Sequence, residues 1–450
     1  MSHYVAVSQL PAEGEKLQTA KFGKYHFLLG VAGAAGVVIS LIIFLMGGNA
    51  ANAYAFSYLF AFEVFFTITA GSLFWCLLHN ASNSSWGVVI RRVPETLAQS
   101  FLVLCILGLP LVVPLVSHLF GGKPEYTCRM WEWIGVHQSL IDTGSTPGGV
   151  RDALATTDPL LYQKYPYLHN GISLLPGWDI RYLLYFAVLG FTAWKLRGYS
   201  LEQDASGSVQ PTLNARRFSC GMLPVFAVCS TFAAIDWVKT LNYKWFSTMF
   251  GVNVFAGSAL CSMAIIILVI GTLVKTGHLK RVVTGDHFHL MGKLMFAFTV
   301  FWAYIAFCQY FLIWYANIPE ETQFYAIRNV GGWWYASVGL VFLHFLAPFV
   351  LLLRSNAKRN INYIMACAAL VVCVHMLEMY WMIIPERGRS LYDSSSATTS
   401  LTFIRDVGFD ILALVTFAAV YAFMLIRNLS QHSIYPCGDP RLEESVNVAS

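Results

Sequence analysis

The chain has 450 residues, of which 57% are hydrophobic and only 12% charged, and its mean hydropathy is +0.58. Soluble domains carry about 25% charged residues, so this composition excludes an ordinary cytosolic enzyme and points to an all-α polytopic membrane protein. The net charge of +5 does not indicate nucleic acid, because the basic residues sit in short loops between apolar runs.

A helix needs about 20 apolar residues to cross the hydrocarbon layer. Ten stretches qualify: 25–46, 53–79, 97–119, 179–197, 218–238, 250–274, 288–317, 331–354, 361–384 and 404–427. The first resembles a signal peptide, since Ala51-Asn52-Ala53 imitates a cleavage site. Its apolar run exceeds the usual signal core of about 7–15 residues, so it reads as an uncleaved helix after a polar segment, 1–24. The fourth is the weakest span, trimmed by Arg181 and Lys195. The membrane domain is thus 25–427, interrupted by one long segment at 120–178 and followed by a polar tail, 428–450, expected to be partly disordered.

Basic residues favour the cytoplasmic side of short loops. With the N-terminus inside, Lys16, Lys21, Lys24, Arg91, Arg92, Lys195, Arg197, Arg216 and Arg217 fall on that side. So do Lys275, Lys280, Arg281, Lys293, Arg354, Lys358, Arg359, Arg427 and Arg441, in all 18 of the 29 Lys and Arg. An even number of spans places the C-terminus inside as well. The 120–178 segment lies outside, as either a packed surface loop or a docking surface.

Most of the ten cysteines lie within spans as small apolar fillers; Cys128 and Cys437 stand apart. No C-x-x-C pair serves zinc or thiol chemistry, no C-x-x-C-H serves covalent haem, and no phosphate-binding loop is present. No residue set is assigned to a metal.

Ionisable side chains within spans are costly and usually face a protein interior. Glu63 lies in the second span, followed by Thr67, Thr69, Ser72 and His79; Thr69, Ser72 and nearby Trp75 or Cys76 share a helical face, which allows a polar path from Glu63 toward the cytoplasm. Asp236 and Lys239 stand three apart, so a local ion pair is the plain reading. A lone His344 in the eighth span reads more readily as a hydrogen-bonded structural residue than as a ligand. His375 and Glu378 share a face of the ninth span at i, i+3, as do Asp406 and Asp410 of the tenth at i, i+4. His344 with His375 is the pair that could face each other across a haem b.

The connecting motifs are more specific. His79 is followed by Trp86-Gly87-Val88-Val89-Ile90-Arg91-Arg92 and Glu95; Tyr165-Pro166-Tyr167-Leu168-His169-Asn170 and Arg181 precede or open the fourth span. Asp236-Trp237 leads to Trp245-Phe246-Ser247-Thr248-Met249-Phe250-Gly251, and Gln309-Tyr310 to Trp314-Tyr315-Ala316-Asn317-Ile318-Pro319-Glu320-Glu321-Thr322. The eighth span carries His344-Phe345 and Pro348-Phe349. Together these resemble the F subunit of bacterial alternative complex III, a member of the broader polysulfide-reductase-type family of membrane anchors.

The resemblance implies ten helices, two four-helix bundles (second to fifth and sixth to ninth spans) and flanking first and last helices, in the bacterial cytoplasmic membrane. It implies partners: a homologous membrane subunit, an iron–sulfur subunit similar to molybdopterin oxidoreductases, and membrane-attached cytochromes c, with a terminal oxidase as a further associate. Iron–sulfur clusters and haem c would reside in those partners, none in this chain, and menaquinol or ubiquinol would be the substrate of the complex. The family places its quinol pocket in the sister subunit, so a role in assembly and proton transfer is expected here, with Glu63, Asp236, His344, His375, Glu378 and Asp410 as relay candidates. Asp236 and His344 lie in the family motifs; the others follow from the cost of burial. The alternative is a proton-coupled secondary transporter, which would be built on paired interrupted helices.

Overall fold

The computed structural model describes residues 4–119, 129–146, 149–169, 177–391 and 406–449. Among them there is no strand. The long helices are α1 (Thr19–Met46), α2 (Gly48–Ala81), α3 (Arg92–Ala98) continued by α4 (Phe101–Leu119), and, after three short helices, α5 (Trp178–Ser206) and α6 (Gln210–Trp237). They continue as α7 (Phe250–Lys275), α8 (Gly285–Ala316), α9 (Pro319–Ala326), α10 (Gly332–Leu340), α11 (Ala347–Leu353), α12 (Ile361–Leu391) and α13 (Val407–Gln431). A π-helical turn, Val341–Leu346, joins α10 to α11.

Among the described residues nine helical segments are long and apolar enough to cross a membrane. The tenth expected span, α5, is an unbroken 29-residue helix, but Asp179, Arg181, Lys195 and Arg197 make it too polar to qualify by composition alone. The chain is a multi-pass membrane protein.

α2 is apolar around its whole circumference, and its sequence therefore demands burial on every side. It occupies the centre, touching α3, α4, α6, α7, α12 and α13. On one flank it completes a bundle with α3–α4, α5 and α6; on the other, α7, α8, α10–α11 and α12 form a second. The outermost helices α1 and α13 pack on each other through glycines. A Cβ at Gly36 would meet the Thr416 hydroxyl at 2.3 Å, and one at Gly33 would meet Val420 at 2.8 Å. In lipid, where apolar burial gives helices no mutual attraction, such close backbone approach supplies the contact.

Both chain ends lie at the same end of the bundle. The Ile434 amide donates to the Glu15 carbonyl at 2.8 Å, and the Leu279 amide to the Glu15 carboxylate at 2.9 Å. The C-terminal tail is ordered, contrary to expectation: Ile434, Tyr435, Asp439, Leu442, Ser445 and Val446 are buried. At the opposite end, exposed Trp314, Tyr315, Trp334 and Tyr335 ring the bundle as interface aromatics do. Trp237 and Trp245 from the same motifs are instead buried, Trp245 stacking on Phe324 with centroids 3.9 Å apart. The described part of the long segment is helical and packed down through Trp131, Trp133, Leu154 and Leu161.

Candidate functional site

The second bundle encloses a polar cluster fed by five elements. His375 and Glu378, one turn apart on α12, are hydrogen-bonded, Nδ1 to Oε2 at 3.0 Å. The other His375 nitrogen, Nε2, meets the Thr67 hydroxyl of α2 at 2.9 Å, and that hydroxyl also reaches the Val64 carbonyl at 2.8 Å. Glu378 Oε1 accepts from the Trp302 indole N–H of α8 at 2.6 Å and from Asn253 of α7 at 3.5 Å. His344 comes from the π-turn: its Nδ1 lies 3.6 Å from Glu378 Oε2, and its ring lies 4.0 Å from that of Trp302. All three ionisable groups are at most 1% exposed.

His344 departs from the hydrogen-bonded role expected of it. Among the described residues neither ring nitrogen has a hydrogen-bond partner. The π-turn, a geometry often found at functional positions, adds a residue to the helical turn that carries this side chain. The ring centroids of His344 and His375 are 6.2 Å apart, but the Glu378 oxygen stands within 3.6 Å of both Nδ1 atoms. The carboxylate thus shares the space between the two imidazoles that could face each other across a haem b, and its contacts with both are what the structure shows. His344, His375 and Glu378 instead form a three-donor group whose ligand atoms all lie within 4.8 Å of one another, although the spacing of single residues on separate spans had suggested no metal set.

Glu63 sits one turn before Thr67 on α2, about 6 Å along the axis. It is 1% exposed, and among the described residues neither carboxylate oxygen has a hydrogen-bond partner. Beyond Thr67, the polar groups expected to continue toward the terminal end are partnered within the helices. Thr69 bonds the Phe65 carbonyl and the Tyr421 hydroxyl, Ser72 bonds the Ile68 carbonyl, and Trp75 donates to Ser262 at 3.1 Å.

The two remaining candidates are held differently. Asp236 pairs with Arg181 of α5, not with Lys239, whose ammonium lies over the Phe246 ring. Its carboxylate accepts from Arg181 at 2.7 and 3.0 Å and from the Tyr167 and Tyr185 hydroxyls at 2.7 Å each. The local spacing favoured Lys239; the helix packing brought a better-shaped planar guanidinium. Asp410 is likewise clamped, by Arg387 at 2.8 and 3.2 Å, Ser57 at 2.6 Å and Tyr380 at 2.9 Å. Both sites are fully paired ion clusters toward the end opposite the termini.

A further set escaped sequence reasoning. Arg91 and Arg92, expected in a short loop on the cytoplasmic side, are buried: Arg91 pairs with Glu95 and Asp439 at 3.0 Å each, and Arg92 with Glu95 at 3.6 Å and with Asp204. Arg197 also reaches Glu95 at 3.0 Å. Asp439 comes from the folded-back tail. Burial opposes its ionisation, but Arg441 and Arg91 outweigh that and hold its carboxyl below the ordinary aspartate range. At the other end Arg328, buried and 3.3 Å from Glu386, has its guanidinium shifted down from the ordinary arginine range by burial, against the pull of Glu386. Cys128 and Asn170 lie outside the described residues.

No family model matches this chain, and no curated protein matches it.

Proposed function

We propose that this chain is the integral membrane subunit of a quinol-oxidising complex of the alternative complex III type, in the bacterial cytoplasmic membrane with both termini cytoplasmic. In this reading it carries protons and holds the assembly together. Electrons pass through iron–sulfur and haem c centres in the partner subunits, with menaquinol or ubiquinol oxidised by the complex. The motif strings from Trp86 to Arg92, Asp236 to Gly251 and Trp314 to Thr322 support the family.

The observation that carries the proton role is the buried line Glu63, Thr67, His375, Glu378, His344 through the second bundle. An imidazole bonded on one side to a hydroxyl and on the other to a carboxylate can accept a proton at one nitrogen and release it from the other. Glu378 receives the released proton at Oε2 while Trp302 and Asn253 fix Oε1, so transfer needs only a shift of the proton along a hydrogen bond whose heavy atoms are 3.0 Å apart. Asp236 and Asp410, each held by an arginine and tyrosine hydroxyls, belong to assembly and not to the relay.

The transporter reading is less well supported. Two spans are interrupted, at Gln99–Ser100 between α3 and α4 and at the π-turn 341–346. The first is the second helix of its bundle and the other the third of its own, so they do not form the matched pair that inverted repeats require.

The test is purification from gently solubilised native membranes, followed by haem staining and a quinol:cytochrome c assay. Co-purification of haem c and iron–sulfur proteins with quinol oxidation is expected. In reconstituted vesicles Glu378→Gln should abolish proton movement while leaving the complex assembled. A chain that purifies alone and without quinol activity would sink the assignment.

A further inference from the structure

We propose that His344, His375 and Glu378 form a binding site for one divalent transition ion of the zinc class. The inference stands on the geometry of the cluster and is independent of the redox partners proposed above.

The donor set is two imidazoles and one carboxylate, the combination that holds zinc where a fourth position stays open. Tetrahedral bonds of about 2.0–2.1 Å place donor atoms about 3.3 Å apart. Glu378 Oε2 lies 3.0 Å from His375 Nδ1 and 3.6 Å from His344 Nδ1, on either side of that value, so small side-chain rotations bring both distances to it. Neither nitrogen of His344, which is 0% exposed, has a hydrogen-bond partner among the described residues. A buried polar atom left in that state calls for a partner.

The surroundings have the form of an outer ligand shell. The far nitrogen of His375 is held by Thr67, which leaves Nδ1 for the ion. The far oxygen of Glu378 is held by the Trp302 indole and Asn253. Such contacts orient metal ligands and raise their affinity. Gly257 of α7 keeps the remaining side clear: a Cβ there would stand 3.0 Å from Glu378 Oε2 and 3.2 Å from His375 Nδ1. Softer ions preferring thiolates are disfavoured, because the nearest donors are nitrogen and oxygen. Metal and proton use the same lone pairs on His375 and Glu378, so an occupied site and a passing proton exclude each other.

The experiment uses the full-length chain in detergent, stripped with a chelator and titrated with Zn2+ or Co2+ alone. One Zn2+ per chain should survive gel filtration, and Co2+ should give the intense visible bands of four-coordination. Trp302→Phe keeps the ring but removes the hydrogen bond to Glu378, and should weaken binding about 10–100-fold, the range for loss of an outer-shell partner. His344→Gln should weaken it more. Zn2+ should also raise the melting temperature of the wild-type chain and not that of His344→Gln, which checks the site without relying on recovery of the variant's full affinity. Failure of the wild-type chain to take up stoichiometric metal, or uptake unchanged in both variants, overturns the proposal. Neither result depends on quinol oxidation, so it leaves the proposed function to its own test.

Discussion

Replacing Asp236 by leucine removes the acceptor of four hydrogen bonds, two from Arg181 at 2.7 and 3.0 Å and one each from Tyr167 and Tyr185 at 2.7 Å. The carboxylate is 0% exposed and the Arg181 side chain 11%, so the cation left behind has little access to water. Removing one partner of a buried pair costs about 3–5 kcal/mol. Two orphaned hydroxyls add about 1 kcal/mol each, giving an expected loss of about 5–7 kcal/mol. Removing the arginine too, as Asp236→Leu with Arg181→Met, eliminates the uncompensated charge, and replacement of a whole buried pair by apolar groups is often neutral. The double variant should therefore lose only about 2 kcal/mol, from the hydroxyls. The assay is a denaturation series on the full-length chain in detergent for wild type, both single variants and the double. A coupling of about 3 kcal/mol or more is expected. If the single losses simply add, the two residues do not act as a pair, and the anchoring role assigned to Asp236 is refuted.

Thr67→Val preserves shape but removes the hydroxyl at His375 Nε2, so proton movement in vesicles should slow several-fold with stability reduced by only about 1 kcal/mol; an unchanged rate would remove Thr67 from the path. Gly71→Val would drive a side chain into the Ser258 carbonyl, 2.2 Å from the position of its Cβ, and should separate α2 from α7 at a cost of about 1–3 kcal/mol or more. Retention of the wild-type melting temperature would contradict that packing. Asp439→Asn should weaken the docked tail, read as faster proteolysis after Gln431. Because the folded carboxyl ionises below the ordinary aspartate value, its contribution is complete above the ordinary value and is lost as pH falls from there through the lower, folded value. The wild-type advantage should thus hold from pH 5 to 8 and shrink only below about pH 4; a difference that shrinks near neutrality would point to another group.

The membrane class, most of the long helices and the burial of Glu63, Asp236, His344, His375, Glu378 and Asp410 follow from the sequence itself. Apolar runs of bilayer length, such as 250–274, can satisfy their backbone groups in lipid only as helices, and that requirement is local. The i, i+3 spacing of His375 and Glu378 is equally local, and their 3.0 Å bond was legible in it. What the tertiary structure decided is which groups meet across helices. Nothing in the spacing of Asp236 names Arg181, 55 residues earlier, or separates that saturated carboxylate from Glu63, which among the described residues has no hydrogen-bond partner. Arg91 and Arg92 read as charges of a short cytoplasmic loop until the tail returned Asp439 to Arg91 and packing brought Asp204 to Arg92. Trp302 and Asn253 are ordinary span residues in sequence and Thr67 is one of several hydroxyls on α2; they become the frame of the polar cluster only because α2, α7 and α8 converge on α12. Local periodicity fixes which face of a helix is polar, whereas the partner of that face depends on packing between segments hundreds of residues apart, and one chain's pattern does not encode it residue by residue.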